Sequence, residues 1–181
     1  MLALAACGKP FNVKPRTDLP AAIYSVSGRS ADVEIQARLV TDEDFLDSTF
    51  DANLIQAGLL PVRLSVKNLA SGPLDLRHSK YQVEIGNVVY KEVDPNRAFK
   101  RLISYYQFTT YNVYGYKQSR EDFISYRLNV DAAIGPGGIT EGFLFFDVPP
   151  AVSEERGVTL ISSNLSAHAR GGSGRLELKL N

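Results

Sequence analysis

The chain has 181 residues, 44% of them apolar, with 20 basic and 20 acidic side chains and a formal net charge of zero. A nucleic-acid binder carries a basic excess that displaces counterions from phosphates, and a disordered chain carries high net charge with few aromatics, so neither class fits. Nine Tyr and nine Phe supply aromatic mass for one domain of ordinary size.

A single Cys rules out an internal disulfide, and two His form no cluster spaced like a zinc site, so no metal and no cofactor is expected. The position of that Cys is informative. Cys7 stands in Leu4-Ala5-Ala6-Cys7-Gly8, directly after the apolar run Met1 to Ala6. This resembles the lipobox of bacterial lipoproteins, in which small residues and a preceding Leu admit a peptidase that cleaves before a diacylglyceryl-modified Cys. The resemblance implies that residues 1–6 are the remnant of a signal peptide and that Cys7 is the lipidated first residue of an extracytoplasmic protein, its membrane partner reached through that anchor. Each buried CH₂ of an acyl chain adds ~0.8 kcal/mol of membrane affinity, so three chains would hold firmly. Gly8, rather than Asp, implies the outer membrane if the host is Gram-negative. The departure from the pattern is length, since a signal peptide has a charged start and an apolar stretch of about 7–15 residues. Only six residues, none charged, precede Cys7, which implies either a reading frame that starts further upstream or a truncated chain.

Residues 7–30 follow as a tether, because Pro10, Pro15 and Pro20 favour extended backbone and the apolar positions lack a period. Lys9, Lys14 and Arg16 are placed either to meet anionic head groups or to stay solvated. No segment approaches the ~18 consecutive apolar residues of a transmembrane helix.

The folded domain is expected over 31–181. Val33, Ile35, Ala37 and Leu39 alternate with polar residues, the period of a half-buried strand. A helical turn or two follows, with Thr41 and Asp42 as caps, Glu43 and Asp44 at its positive end, Phe45, Leu46, Phe50 and Leu54 inward, and Gly58 as its stop. Residues 60–68 form the strongest strand. Residues 81–85 and 88–93 around Gly86-Asn87 read as a two-residue hairpin, since that dipeptide tolerates positive φ.

At Asp94-Pro95 the period changes. Asp94 is a good N-cap, Pro95 suits the first helical position, and Ala98, Phe99, Leu102, Ile103 and Tyr106 form an amphipathic stripe. A second helix is predicted from about Ser119, with Glu121 and Asp122 in its first turn and Phe123, Ile124, Leu128 and Ala132 inward. Strands at 139–148, stopped by Pro149-Pro150, at 158–162 and at 175–180 complete the set, the last after a turn at 171–174. About seven strands with one helical insertion, residues 94–133, argue for a mainly β, antiparallel sandwich.

Val62 to Asn68 with Gly72-Pro73-Leu74, and then Pro136-Gly137 through Phe143-Leu144-Phe145-Phe146-Asp147-Val148-Pro149, resemble the immunoglobulin-like domains of secreted bacterial antigens and lipoproteins. The resemblance spans roughly residues 31–162. It implies an immunoglobulin-like β-sandwich displayed outside the cytoplasm and brings no catalytic residues. The insertion departs from the simplest members of that group and is what is particular to this chain.

Among chemical constellations, Asp42, Glu43, Asp44, Asp47 and Asp51 invite a calcium reading, but the EF-hand spacing is absent and a solvated acidic helix face explains them. His78 and His168 lie in polar loops outside any nucleophile-elbow context. The segment richest in binding chemistry is aromatic. Tyr105, Tyr106, Tyr111, Tyr114, Tyr116 and Tyr126, with Phe108 and Phe123, are flanked by Lys100, Arg101, Lys117 and Arg120. Tyr combines apolar ring area with a hydroxyl at low rotamer entropy, as in binding surfaces and membrane belts. These rings either fill space over one end of the sandwich or form a surface for an envelope protein or a glycan. The candidate contact residues are Tyr105, Tyr106, Phe108, Tyr111, Tyr114, Tyr116, Arg101 and Lys117. The expected function is a lipid-anchored, non-enzymatic protein-binding or assembly module of the cell envelope. The alternatives are a carbohydrate- or cell-wall-binding lipoprotein and, less favoured, an envelope hydrolase using the carboxylates between 42 and 51.

Overall fold

The computed structural model describes residues 11–18, 20–30, 32–108, 113–153, 157–165 and 174–180. Cys7 with its lipobox, Tyr111, His168 and residues 171–173 of the expected glycine turn lie outside them.

The chain order is β1 (Val26–Arg29), β2 (Val33–Leu39), α1 (Glu43–Phe50), β3 (Leu59–Asn68), β4 (Lys80–Ile85), β5 (Val88–Lys91), α2 (Pro95–Tyr106), α3 (Val113–Ser125), β6 (Ile139–Asp147), α4 (Pro150–Ser153), β7 (Val158–Ser163) and β8 (Leu176–Leu180). Two four-stranded antiparallel sheets, β1-β2-β3-β6 and β5-β4-β7-β8, face each other. Set β1 aside, and the pairings are those of the immunoglobulin arrangement: β2-β3-β6 take the places of strands A, B and E, and β5-β4-β7-β8 those of C′, C, F and G.

The alternating strands behave as their period dictates. Val33, Ile35 and Ala37 point into the sandwich beside Val62, Leu64 and Val66 of β3, and Leu178 and Leu180 close it from β8. The predicted hairpin forms with Ile85 opposite Val88, but pairing with β4 ends at Lys91 rather than Val93. Glu92 bridges to Phe146, and the Val93 N–H donates to the Phe145 carbonyl at 2.7 Å, so the chain crosses there from one sheet to the other.

The strand count rises from the expected seven to eight because β1 pairs with β2, Val26 opposite Ala37 through Arg29 opposite Glu34. Gly28 on β1 approaches the second sheet so closely that a Cβ there would stand 2.5 Å from Leu178 Cδ2, which closes that side of the sandwich.

The strand β6 is buried on both faces. Leu144 and Phe146 enter the inter-sheet core, whereas Phe143 and Phe145 point outward into a second core built with α1, α2 and α3. The insertion is thus part of a helical layer over the outer face of the first sheet. Its second helix begins at Val113, six residues before the expected Ser119, so Glu121 and Asp122 fall late in the helix rather than in its first turn. Phe123 is buried as expected, Leu128 is buried beyond the helix end, and Ala132 is exposed.

Candidate functional site

The helical layer is positioned by local signals that the sequence carries. The Asp42 carboxylate accepts from the Phe45 N–H at 2.7 Å and starts α1. Asp94 accepts from the N–H groups of Asn96 and Arg97 at 2.9 and 3.3 Å and starts α2, whose first residue is Pro95. Gln107 ends α2 in a left-handed conformation at φ 52°, its N–H bonded to the Ile103 carbonyl.

The rings between these helices form one stack. Phe50 packs edge-on against Phe123, Tyr126 and Phe143, with centroids 5.0 to 5.7 Å apart, and Phe123 lies parallel to Phe145 at 4.9 Å. Phe99 of α2 meets Phe123 and Tyr116 of α3.

The segment expected as a tether is docked from Phe11 onward. Phe11 stacks on Phe108 at 4.4 Å and sits 5.9 Å from Phe99. Val13 is fully buried, and its neighbours are bonded on every side. The Lys14 N–H donates to the Thr49 carbonyl at 3.0 Å, the Asn12 N–H to Asp51 Oδ2 at 2.9 Å, and the Ser119 hydroxyl to the Phe11 carbonyl at 3.1 Å. The Tyr126 hydroxyl donates to the Lys14 carbonyl at 3.0 Å. Arg16 donates to the carbonyls of Ser125 and Glu141, and buried Arg63 holds the Pro20 carbonyl at 2.9 Å. The proline-rich composition is real, but two apolar side chains and these bonds outweigh the extended coil that it favours.

The structure divides the candidate contact residues in two. Tyr106, Phe108, Tyr116 and Arg101 are half-buried and engaged within the layer. The Tyr106 hydroxyl accepts from the Asn53 N–H and donates to the Asn53 carbonyl, both at 3.1 Å, and burial raises its pKa. Arg101 Nε donates to the Ala57 carbonyl at 2.7 Å, and its guanidinium pairs with Asp147. Tyr105, Tyr114 and Lys117 face outward. Tyr105 is 52% exposed with its ring edge-on to Tyr106, Tyr114 is 87% exposed, and exposed Lys117 lies 3.9 Å from Glu121.

Two shallow depressions border this aromatic rim. One, of about 440 Å³, is lined by Tyr114, Gly115, Lys117, Gln118 and Glu121. The other, of about 360 Å³, is lined by residues 56–58 with Arg101, Ser104, Tyr105 and Pro150. Both offer phenol rings, cations and amides, a surface suited to docking. Apart from Tyr106, ionisable groups with shifted pKa stand away from the rim. Burial raises Glu92, which lies 3.7 Å from Arg127 at the sheet crossover, and burial raises Tyr81 inside the sandwich. The carboxylates around α1 serve the local structure: Asp42 caps the helix, Glu43 accepts from the Asn53 side-chain amide at 3.0 Å, Asp51 holds Asn12, and Asp44 and Asp47 are exposed. Among the described residues no group of three or more metal-ligating side chains converges. His78 is exposed.

Sequence reasoning missed Phe11, Val13 and Arg16 as parts of this layer, and it did not foresee that Ser119 bonds to the Phe11 carbonyl. The signal was the Phe11-x-Val13 spacing, which places two apolar side chains on one face of an extended chain.

The site therefore belongs to a mainly β, antiparallel sandwich that carries a helical layer and an aromatic rim on one outer face. No family model and no curated protein matches the chain. Three solved structures are similar in fold. One is ycdA of Bacillus subtilis, provisionally assigned as a lipoprotein, with 16% identity and a TM-score of 0.46 over 86% of this chain; the match spans 38% of ycdA's own length. A conserved hypothetical protein of Bacillus anthracis matches 77% of the chain and 89% of its own, at 10% identity and a TM-score of 0.42. An uncharacterised β-sandwich protein of Clostridium difficile matches 88% of the chain and 92% of its own, at 13% identity and a TM-score of 0.40.

Proposed function

We propose that the chain is a lipid-anchored, extracytoplasmic and non-enzymatic binding or assembly module, held at a membrane through Cys7 and meeting an envelope component with the rim of its helical layer. The observation that carries this reading is the junction between anchor and domain. Leu4-Ala5-Ala6-Cys7-Gly8 has the small and apolar residues of a lipoprotein cleavage site, and Phe11, four positions after the Cys, is docked in the helical layer. A lipid on Cys7 would fasten the sandwich close to its helical layer, which carries the exposed Tyr105 and Tyr114. The rim supports binding rather than turnover, because it presents rings, amides and paired charges instead of convergent acid and base groups. In a Gram-negative host, Gly8 directs the protein to the outer membrane.

The test is fractionation of cells expressing the chain behind a complete secretion signal. The protein is expected in the membrane fraction, and the Cys7→Ser variant in the soluble extracytoplasmic fraction. Equal distribution of the two would remove the anchor from the reading.

A further inference from the structure

We propose that the occupant of the aromatic rim is the headgroup interface of the bilayer itself, with Tyr105 and Tyr114 resting in it. The inference rests on the anchor at Cys7 and specifies the envelope component that the rim meets.

Geometry leads there. The Phe11 carbonyl accepts from Ser119 of α3, and the Phe11 ring stacks on Phe108, just beyond the end of α2. Phe11, the described residue nearest Cys7, is therefore held between the two helices. Three residues separate Cys7 from Phe11, and the four Cα-to-Cα steps span at most about 14 Å. A domain of this length has a radius of gyration of about 16 Å, so a link this short keeps the helical layer near the membrane and the opposite face of the sandwich away from it.

The two exposed rings belong to the helices that hold Phe11. Tyr114 is five residues before Ser119 on α3, about 7.5 Å along its axis and about 140° around it, so its ring is on the solvent side of the helix whose inner side meets Phe11. Tyr105 packs edge-on against Tyr106, whose ring lies 5.3 Å from Phe108. A phenol with its ring in the acyl boundary and its hydroxyl among head groups is at its preferred depth.

The experiment uses the lipidated chain in phosphatidylcholine vesicles. Acylation consumes the thiol of Cys7, the sole Cys, so a nitroxide reacts only with a cysteine introduced at Tyr105→Cys, Tyr114→Cys or, as the aqueous reference, Lys179→Cys. Lys179 is exposed on β8, on the far side of the sandwich from the helices. All three positions are solvent-facing, so the substitutions leave both cores intact. The ratio of relaxation by oxygen to relaxation by a water-soluble nickel chelate is expected to be several-fold higher at positions 105 and 114 than at 179. Water-like ratios at all three positions, with the acyl mass present on Cys7, overturn the bilayer contact and leave the anchor standing. Ratios that are water-like in vesicles but shielded in native membranes overturn it in favour of a protein partner. Absence of the acyl mass overturns the anchor, and this inference with it.

Discussion

Gly142→Ala is expected to break the joint between the helical layer and the sheet. Gly142 is buried on β6 opposite Leu64, where the chain leaving α3 passes over it. A Cβ at this position would stand 2.4 Å from both Cα and N of Leu128 and 2.7 Å from the Arg127 carbonyl carbon. These are backbone atoms, so no rotamer change relieves the contact, and residues 127 and 128 must retreat by about an ångström to reach an ordinary separation. That retreat stretches the bond from the Phe143 N–H to the Tyr126 carbonyl, 2.7 Å, and the one from the Leu128 N–H to the Phe143 carbonyl, 3.0 Å. Overpacking costs about 1–3 kcal/mol and each weakened hydrogen bond up to about 1 kcal/mol, so the loss should be about 3–4 kcal/mol. With a urea dependence of about 2–3 kcal/mol per molar, the unfolding midpoint should fall by about 1–2 M. Gly72→Ala is the control, because nothing lies within 4 Å of its added Cβ, and it should change stability by no more than about 0.5 kcal/mol. Urea denaturation followed by circular dichroism measures both, and coincident midpoints would refute the close-approach argument.

Phe50→Ala removes the ring that touches Phe123, Tyr126, Phe143 and Phe145; it should cost about 3–5 kcal/mol in the same assay, since the surrounding rings cannot collapse into the space. Burial raises the native pKa of Glu92 above its unfolded value near 4.5, so its contribution to stability is full below that value and is lost as pH rises through the native one. Relative to Glu92→Gln, the wild-type protein should therefore lose stability as pH rises above about 4.5, and parallel curves for the two proteins would contradict this. At the surface, the hydrogen bonds from Arg77 hold the Asp75 carboxyl at about 2. In Arg77→Met its titration, followed by NMR, should move up toward 3.8, the value of an unperturbed carboxyl.

Much of the fold was legible because local and tertiary preferences agree. Half-buried strands such as β2 and β8 alternate because one face meets the core, and α1 and α2 start where Asp42 and Asp94-Pro95 supply caps. The rest failed where distant contacts decide. β1, Val-Ser-Gly-Arg, has no apolar alternation and exists because β2 offers it a pairing edge and Gly28 admits Leu178. The first turns of α3 carry Gly115 and no helical stripe, and Tyr116 packs on Phe99 to hold them. In the same way the continuous apolar run of β6 announces burial on both faces, but only the structure shows that helices cover the second. Of the rim, the richness in Tyr was visible from composition. Which rings face inward depends on α2 and α3 packing together, and so could not be read from spacing.

The most direct measurement is the intact mass of the protein recovered from membranes, with fragmentation of its N-terminal peptide. The result expected is a chain that begins at Cys7 and carries a diacylglyceryl thioether on its sulfur. A chain that retains residues ahead of Cys7 with a free thiol would contradict the anchor and the proposed function built on it.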